Sequence, residues 1–338
     1  AWTLTGVYGT GKSSFAHFLA SLLASQNDGV KIVADSIFEN CSVEPEVKQK
    51  IQSVVTSKGF VRAVVTAGRE PLEKTILRSL RTGINSFWEK TSNTGKKFNA
   101  EIDRLENAID STGNADPNGV LSLIRELSAL AKVGVVLIID EFGKCLEYAA
   151  NNRHTEDLYL LQQIKELSVN SESPIFLFGL LHQAFSEYGY GLGMVERNEW
   201  IKIQGRFEEI PFTESARQMV YLTGQAIKHS FDNKQEKTLR LFSQKWHQKL
   251  QTVFDTQTVN AEVLCRAMPL HPLSALALPQ LCLRYAQNDR SLFTFLTGAE
   301  PGSLRTFLEA NEWSNNLPPL LKLDRLYDYF VDTAQAGL

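Results

Sequence analysis

Near its start the 338-residue chain reads Thr5-Gly6-Val7-Tyr8-Gly9-Thr10-Gly11-Lys12-Ser13-Ser14. Gly6 and Gly11 bracket four residues, and a Lys-Ser pair follows. Glycines at this spacing let the backbone curl into a concave nest whose N–H groups face phosphate oxygens. A helix beginning at the end of the loop adds unpaired amide donors and the positive end of its dipole. In such a loop Lys12 reaches the β- and γ-phosphates, and the Ser13 hydroxyl is a ligand for Mg²⁺. The candidate nucleotide-binding set is therefore Gly6, Gly9, Thr10, Gly11, Lys12, Ser13 and Ser14. A glycine-rich turn opening an ordinary helix is the plainer alternative. The context weighs against it: Trp2–Thr5 is short and β-prone, and from Ser14 onward apolar residues recur at helical spacing.

A second set of residues could complete that chemistry. The apolar run Val133–Ile139 ends in Asp140-Glu141. A carboxylate at the C-terminal end of a buried strand lies where open α/β sheets bind ligands. Asp140 suits Mg²⁺, and Glu141 is suited to polarise a water in line with a γ-phosphate. That is the arrangement of hydrolysis rather than of transfer to an acceptor. The alternative is that the acidic pair caps the next turn. A further apolar run, Pro174–Leu181, ends in His182-Gln183. Either side chain could contact the γ-phosphate or the attacking water.

These residues need a sheet to hold them. Strands are expected over 60–67, 133–139 and 174–181, with helices over 72–87, 99–110, 121–130 and 155–169. "TSNTGKKFN" and "STGNADPNG" read as turn-rich breaks, and the polar, charged region that follows Gly29–Asp35 takes no firm assignment. Helices alternating with buried strands imply a parallel sheet covered on both faces. Strand signals fade from Thr213 onward, where 214–229, 236–254, 259–267, 273–287, 289–297 and 322–334 all have helical spacing. The expected fold class is α/β, a parallel P-loop sheet flanked by helices and followed by an all-α lid. The core spans 1–212 with a helical insertion around 68–130, and the lid and C-terminal helical region span 213–338.

The bulk properties bound the partners. With 35 basic and 38 acidic residues the formal charge is −3, so nothing announces nucleic acid by bulk charge, although a local patch is not excluded. Cys41, Cys145, Cys265 and Cys282 are far apart and form no C-x-x-C pair. They read as reduced, mostly buried thiols of a cytoplasmic protein. Trp and Met residues are assigned to the core. No apolar run approaches a membrane span. The chain opens on Ala1, directly at the first strand, which suggests a segment of a longer polypeptide with an effector domain or partner outside it.

Taken together, the phosphate loop (Walker A), the Asp-Glu pair (Walker B), the polar strand end and the trailing helices resemble an AAA+ ATPase. "IQGRFEEIPF" (203–212) is similar to the segment that carries the arginine finger in that family, and "AQNDRSLFTFL" (286–296) resembles the start of its sensor 2 helix. The resemblance implies ATP and Mg²⁺ as cofactors, with Lys12 and Ser13 in Walker A and Asp140 and Glu141 in Walker B. Gln183 or His182 falls at sensor 1, Arg206 at the finger and Arg290 at sensor 2; Arg197 in "ERNEW" is the rival finger. It further implies a homo-oligomer in which the finger is supplied in trans. The long separation of the two Walker motifs and the "PLHPLSALALPQLCLRYAQNDRSLFTFL" stretch look like initiator-like and STAND-type ATPases. They also look like the ATPase modules of large bacterial phage-defence proteins.

The expected activity is hydrolysis of ATP to ADP and phosphate, coupled to assembly and lid movement as a switch or motor. Two other classes compete: a small-molecule kinase built on the same loop, and a scaffold that holds ATP without turning it over. "AFSEYGYGLG" after the strand over 174–181 reads as a packed surface loop.

Overall fold

The computed structural model describes residues 1–7, 10–41, 43–88, 92–112, 116–152, 155–170, 173–190, 192–212, 216–251, 260–285, 292–313 and 318–335. They form two compact units, one of Ala1–Gly6 with Gly11–Phe212, the other of Thr213–Leu338 with Val7–Thr10.

The first unit is built on a five-stranded sheet of β1 (Trp2–Thr5), β2 (Val61–Thr66), β3 (Val135–Asp140), β4 (Ile175–Leu181) and β5 (Glu208–Pro211). Every pairing is parallel, and the order is β2-β3-β4-β1-β5. Helices α1 (Lys12–Leu22), α2 (Gly29–Asn40), α3 (Pro45–Val54), α4 (Leu72–Phe87) and α5 (Asn93–Thr112) come first. They are followed by α6 (Pro117–Ala131), α7 (Gly143–Asn152), α8 (Thr155–Asn170) and α9 (Met194–Gln204).

β3 shows why its sequence is apolar without interruption. Val135, Leu137 and Ile139 feed a core shared with α4, α5, α6 and α8, while Val136 and Ile138 feed a separate core with Leu4, Ala16 and Leu180. A strand covered on both faces has no position for a polar residue. Each such side chain contributes about 1.5–3 kcal/mol by leaving water, so the strand that ends in Asp140 is among the most firmly held.

The second unit is helical: α10 (Ala216–Ala226), α11 (Asn233–Gln251), α12 (Ala261–Arg266), α13 (Pro272–Tyr285), α14 (Leu292–Thr297), α15 (Leu304–Ala310) and α16 (Leu323–Gln335). They pack around Leu264, Leu278, Phe295 and Phe330. Among the described residues no helix is long and apolar enough to cross a membrane.

Several sequence expectations need correction. "TSNTGKKFN" is not a break, because α5 starts at Asn93. Its small polar residues are helix-start chemistry, with the Gly95 amide donating to Ser92 Oγ at 3.0 Å. Gly29–Asp35 belongs to α2, whose N-cap Asp28 accepts from the Val30 amide. Residues 208–211, with no strand expectation, form β5. "AFSEYGYGLG" contains a turn of 3-10 helix, Phe185–Gly189, with Phe185 and Tyr188 buried and Tyr190 exposed. Cys41 is exposed and Cys265 half-buried, leaving only Cys145 and Cys282 in the interior. Met194 is 83% exposed and so is not core.

Candidate active site

Parallel strands bring their C-terminal ends to one edge, and the sheet order decides which ends are neighbours. β4 lies between β1 and β3. Thr5 is in register with Leu181, and the Gly6 amide donates to the Leu181 carbonyl at 3.1 Å. On the other side of β4, Ile139 is in register with Gly179, and the Phe142 amide donates to the Leu180 carbonyl at 3.0 Å. The start of the glycine loop, His182 and the Asp140-Glu141 pair therefore sit side by side. The outer two are about 10 Å apart at the usual strand spacing, a gap that a metal-bound triphosphate can span.

Gly11 is the N-cap of α1 and has φ +88°, a left-handed conformation that glycine adopts without cost. It turns the chain so that α1 begins at Lys12 with its first amides uncapped by a side chain, the state in which a helix start binds an anion. Lys12 is 5% exposed, and its ammonium donates to the Gly6 carbonyl at 2.6 Å. Burial lowers its proton affinity, and the charge of Asp140 works against that shift. Thr10 Oγ1 donates to the Val7 carbonyl at 2.9 Å. Ser13 and Ser14 are exposed. Gly9 lies outside the described residues.

The acidic pair is held in an unusual conformation. Glu141 has φ +54°, rare for a residue with a side chain and a pointer to function when it falls at a strand end. Its amide donates to Asp140 Oδ1 at 2.8 Å. Its carboxylate is ion-paired with Lys144 one turn on. A β-carbon on Gly179 would run into the Phe142 ring, so this β4 glycine makes room for the residue after Glu141. His182 is half-buried and Gln183 exposed. The imidazole of His182 protonates less readily than usual, first because of burial and then because of Lys12. Glu141 and Asp140 oppose the shift and Lys144 adds to it. His182 thus feels every charged group of the site.

The arginines are placed differently. Arg206 precedes β5, and Glu208 is in register with Trp2. It stands at the N-terminal edge of the sheet, roughly 15–20 Å along the strand direction from Gly6. It pairs with Glu166 of α8 at 2.9 Å. Arg197, early in α9, lies over the Tyr190 ring at 5.5 Å and donates to the Tyr190 carbonyl at 3.4 Å. Arg290 lies outside the described residues.

The donors fit Mg²⁺, a hard cation that takes oxygen: a Ser13 hydroxyl and an Asp140 carboxylate. Asp140 commits Oδ1 to an amide, and Oδ2 is the oxygen left for a cation. Among the described residues no group of three or more His, Cys, Asp or Glu converges into a protein-only metal cage. A cation shared with phosphate oxygens does not need one.

Sequence reasoning missed Lys144. Its signal was the Asp-Glu-x-x-Lys spacing, which becomes an i, i+3 pair where a helix begins just after the strand. No family model matches this chain, and no curated protein matches it.

Proposed function

We propose that this chain binds Mg·ATP at the C-terminal edge of β1, β4 and β3 and hydrolyses it to ADP and phosphate. The observation that carries the reading is the convergence of Lys12, His182 and the Asp140-Glu141 pair at one sheet edge, with Glu141 in a left-handed backbone. The amides at the start of α1 and the Lys12 ammonium hold the β- and γ-phosphates. Ser13 and Asp140 would hold the cation, which would supply positive charge to offset the charge developing on the phosphates. Glu141 accepts a hydrogen bond from a water whose oxygen attacks the γ-phosphorus, as the bond to the β–γ bridging oxygen breaks. The water's proton leaves by way of Glu141. His182, held neutral at physiological pH, is suited to donate or accept a hydrogen bond toward the γ-phosphate or the water. This makes His182 a better candidate than the exposed Gln183.

The resemblance to AAA+ ATPases extends the reading to an assembling switch or motor, with the helical region as lid and bacterial phage defence as one setting. The place of Arg206 supports a finger acting in trans: it stands too far along the strands to serve the site of its own chain. Steady-state phosphate release from Mg·ATP tests the reading. Turnover that requires Mg²⁺ is expected. Tight ATP binding without phosphate release at any protein concentration would leave a scaffold.

A further inference from the structure

A cavity of about 350 Å³ lies at the end of β2 opposite the candidate active site, and its walls include Asp28, Lys58, Arg62, Ser86, Phe87 and Trp88. Arg62 and Thr66 are four residues apart on β2, about 13 Å along the strand, and Thr66 is in register with Asp140. We propose that this cavity binds a small planar anion, an aromatic ring that carries one carboxylate or one phosphate. The inference goes beyond the hydrolytic reading and does not rest on it.

The walls are held by the fold itself. The Phe60 amide donates to the Leu23 carbonyl at 2.8 Å and the Gln26 amide to the Ser57 carbonyl at 3.1 Å, which ties the two flanking turns together. A β-carbon on Gly83 would meet the Arg62 carbonyl at 2.9 Å, so α4 lies directly on the β2 backbone. The half-buried rings of Phe87 and Trp88 meet edge to face at 4.8 Å, and the buried Phe98 backs Trp88 at 5.5 Å. Ligand sites are largely pre-formed in this way.

Charge decides which ligand the cavity takes. Asp28 spends both oxygens within the protein: Oδ1 accepts from the Val30 amide at 3.1 Å, and Oδ2 accepts from Arg62 at 2.8 Å. Among the described residues Asp28 is the sole partner of the Arg62 side chain. A guanidinium has five N–H donors, so donors remain for a ligand. Lys58 and Ser86 are exposed and add an ammonium and a hydroxyl. Two cations thus face one carboxylate that is already bonded, and the surplus favours an anion. The helix ends do not reverse that balance, since α4 brings its negative end to the cavity and α2 its positive end.

The aromatic pair sets the other half of the ligand. A flat ring packed against Phe87 and Trp88 gains about three- to tenfold in affinity beyond its burial. The volume is at the small end for ligand cavities and suits compounds of one or two rings.

Titration calorimetry on the full chain tests the proposal, with 5′-IMP and indole-3-carboxylate as probes. At least one should bind with a Kd between about 10 µM and about 1 mM, and the one that binds identifies the anion. Inosine and indole, the same rings without the anion, should bind at least about tenfold more weakly. Lys58→Glu alters an exposed side chain and should weaken the bound probe by about tenfold or more. Trp88→Leu should weaken it by about three- to tenfold; if its melting curve shows that it has not folded, Lys58→Glu alone decides. Lys12→Met should leave the affinity unchanged, whatever becomes of the hydrolytic reading. No binding of either probe at about 5 mM overturns the proposal. So does an uncharged ring that binds as tightly as its anion, or a probe that Lys58→Glu binds as tightly as the wild type. Weakening by Lys12→Met would put the probe in the glycine loop and overturn it as well.

Discussion

The Lys12 ammonium donates to the carbonyl of Gly6, the residue at which its own loop begins. The lysine that would meet the phosphates thus closes the loop on itself, and burial already weakens its hold on its proton. A phosphate would replace the carbonyl as its partner and supply the charge that burial withholds. Lys12→Met should weaken Mg·ATP binding by about a hundredfold, on the order of 2.7 kcal/mol. Loss of a charged hydrogen bond and relief of a buried charge oppose each other, so thermal stability should move by less than about 1 kcal/mol. Titration calorimetry and a melting curve check the two halves separately.

Arg206 offers a test of assembly. Its bond to Glu166 is a partly exposed ion pair and gives little stability of its own. A structural role predicts that Arg206→Ala and Glu166→Gln behave alike. A finger acting in trans predicts a steep rise of specific activity with protein concentration. It also predicts a loss of about 10³-fold in kcat for Arg206→Ala alone, with ATP binding intact. Phosphate release across a wide concentration range separates the two.

His182 sets a pH dependence. Its folded-state pKa lies below the ordinary 6.5, mainly through burial. The unfolded chain therefore takes up this proton first as the pH falls. The stability linked to neutral His182 is complete above about pH 6.5 and is lost as the pH drops through the folded-state value. His182→Gln should flatten part of the fall in melting temperature between about pH 6.5 and pH 5. His271 in the second unit, also shifted down by burial, contributes in the same direction. Melting curves of both proteins across that range provide the check.

What could be read from the sequence follows how each element is stabilised. β3 was legible because both of its faces are covered, and the Asp-Glu pair at its end inherits that clarity. β5 was not: it is four exposed residues long and contains two glutamates and a proline, and it is tied to β1 by the ladder and by the Trp2 indole donating to Glu208. Residues 29–35 include the β-branched Val30, Ile32 and Val33. Val30, Ile32 and Val33 face solvent, however, and the helix is set by the Asp28 cap and by burial of Ala34 and Phe38. For the candidate site, residue type and spacing pointed to Lys12, Asp140 and Glu141. They did not separate His182 from Gln183, a choice made by burial, and they did not reveal the ion pair of Lys144 with Glu141.

The central claim is that Glu141 orients the water that splits ATP. The most direct measurement compares phosphate release and Mg·ATP binding in wild type and Glu141→Gln, an exchange that keeps shape and removes the charge. The account predicts binding within about twofold of wild type and phosphate release slower by about 10²–10³-fold. Phosphate release at the wild-type rate by Glu141→Gln would contradict it.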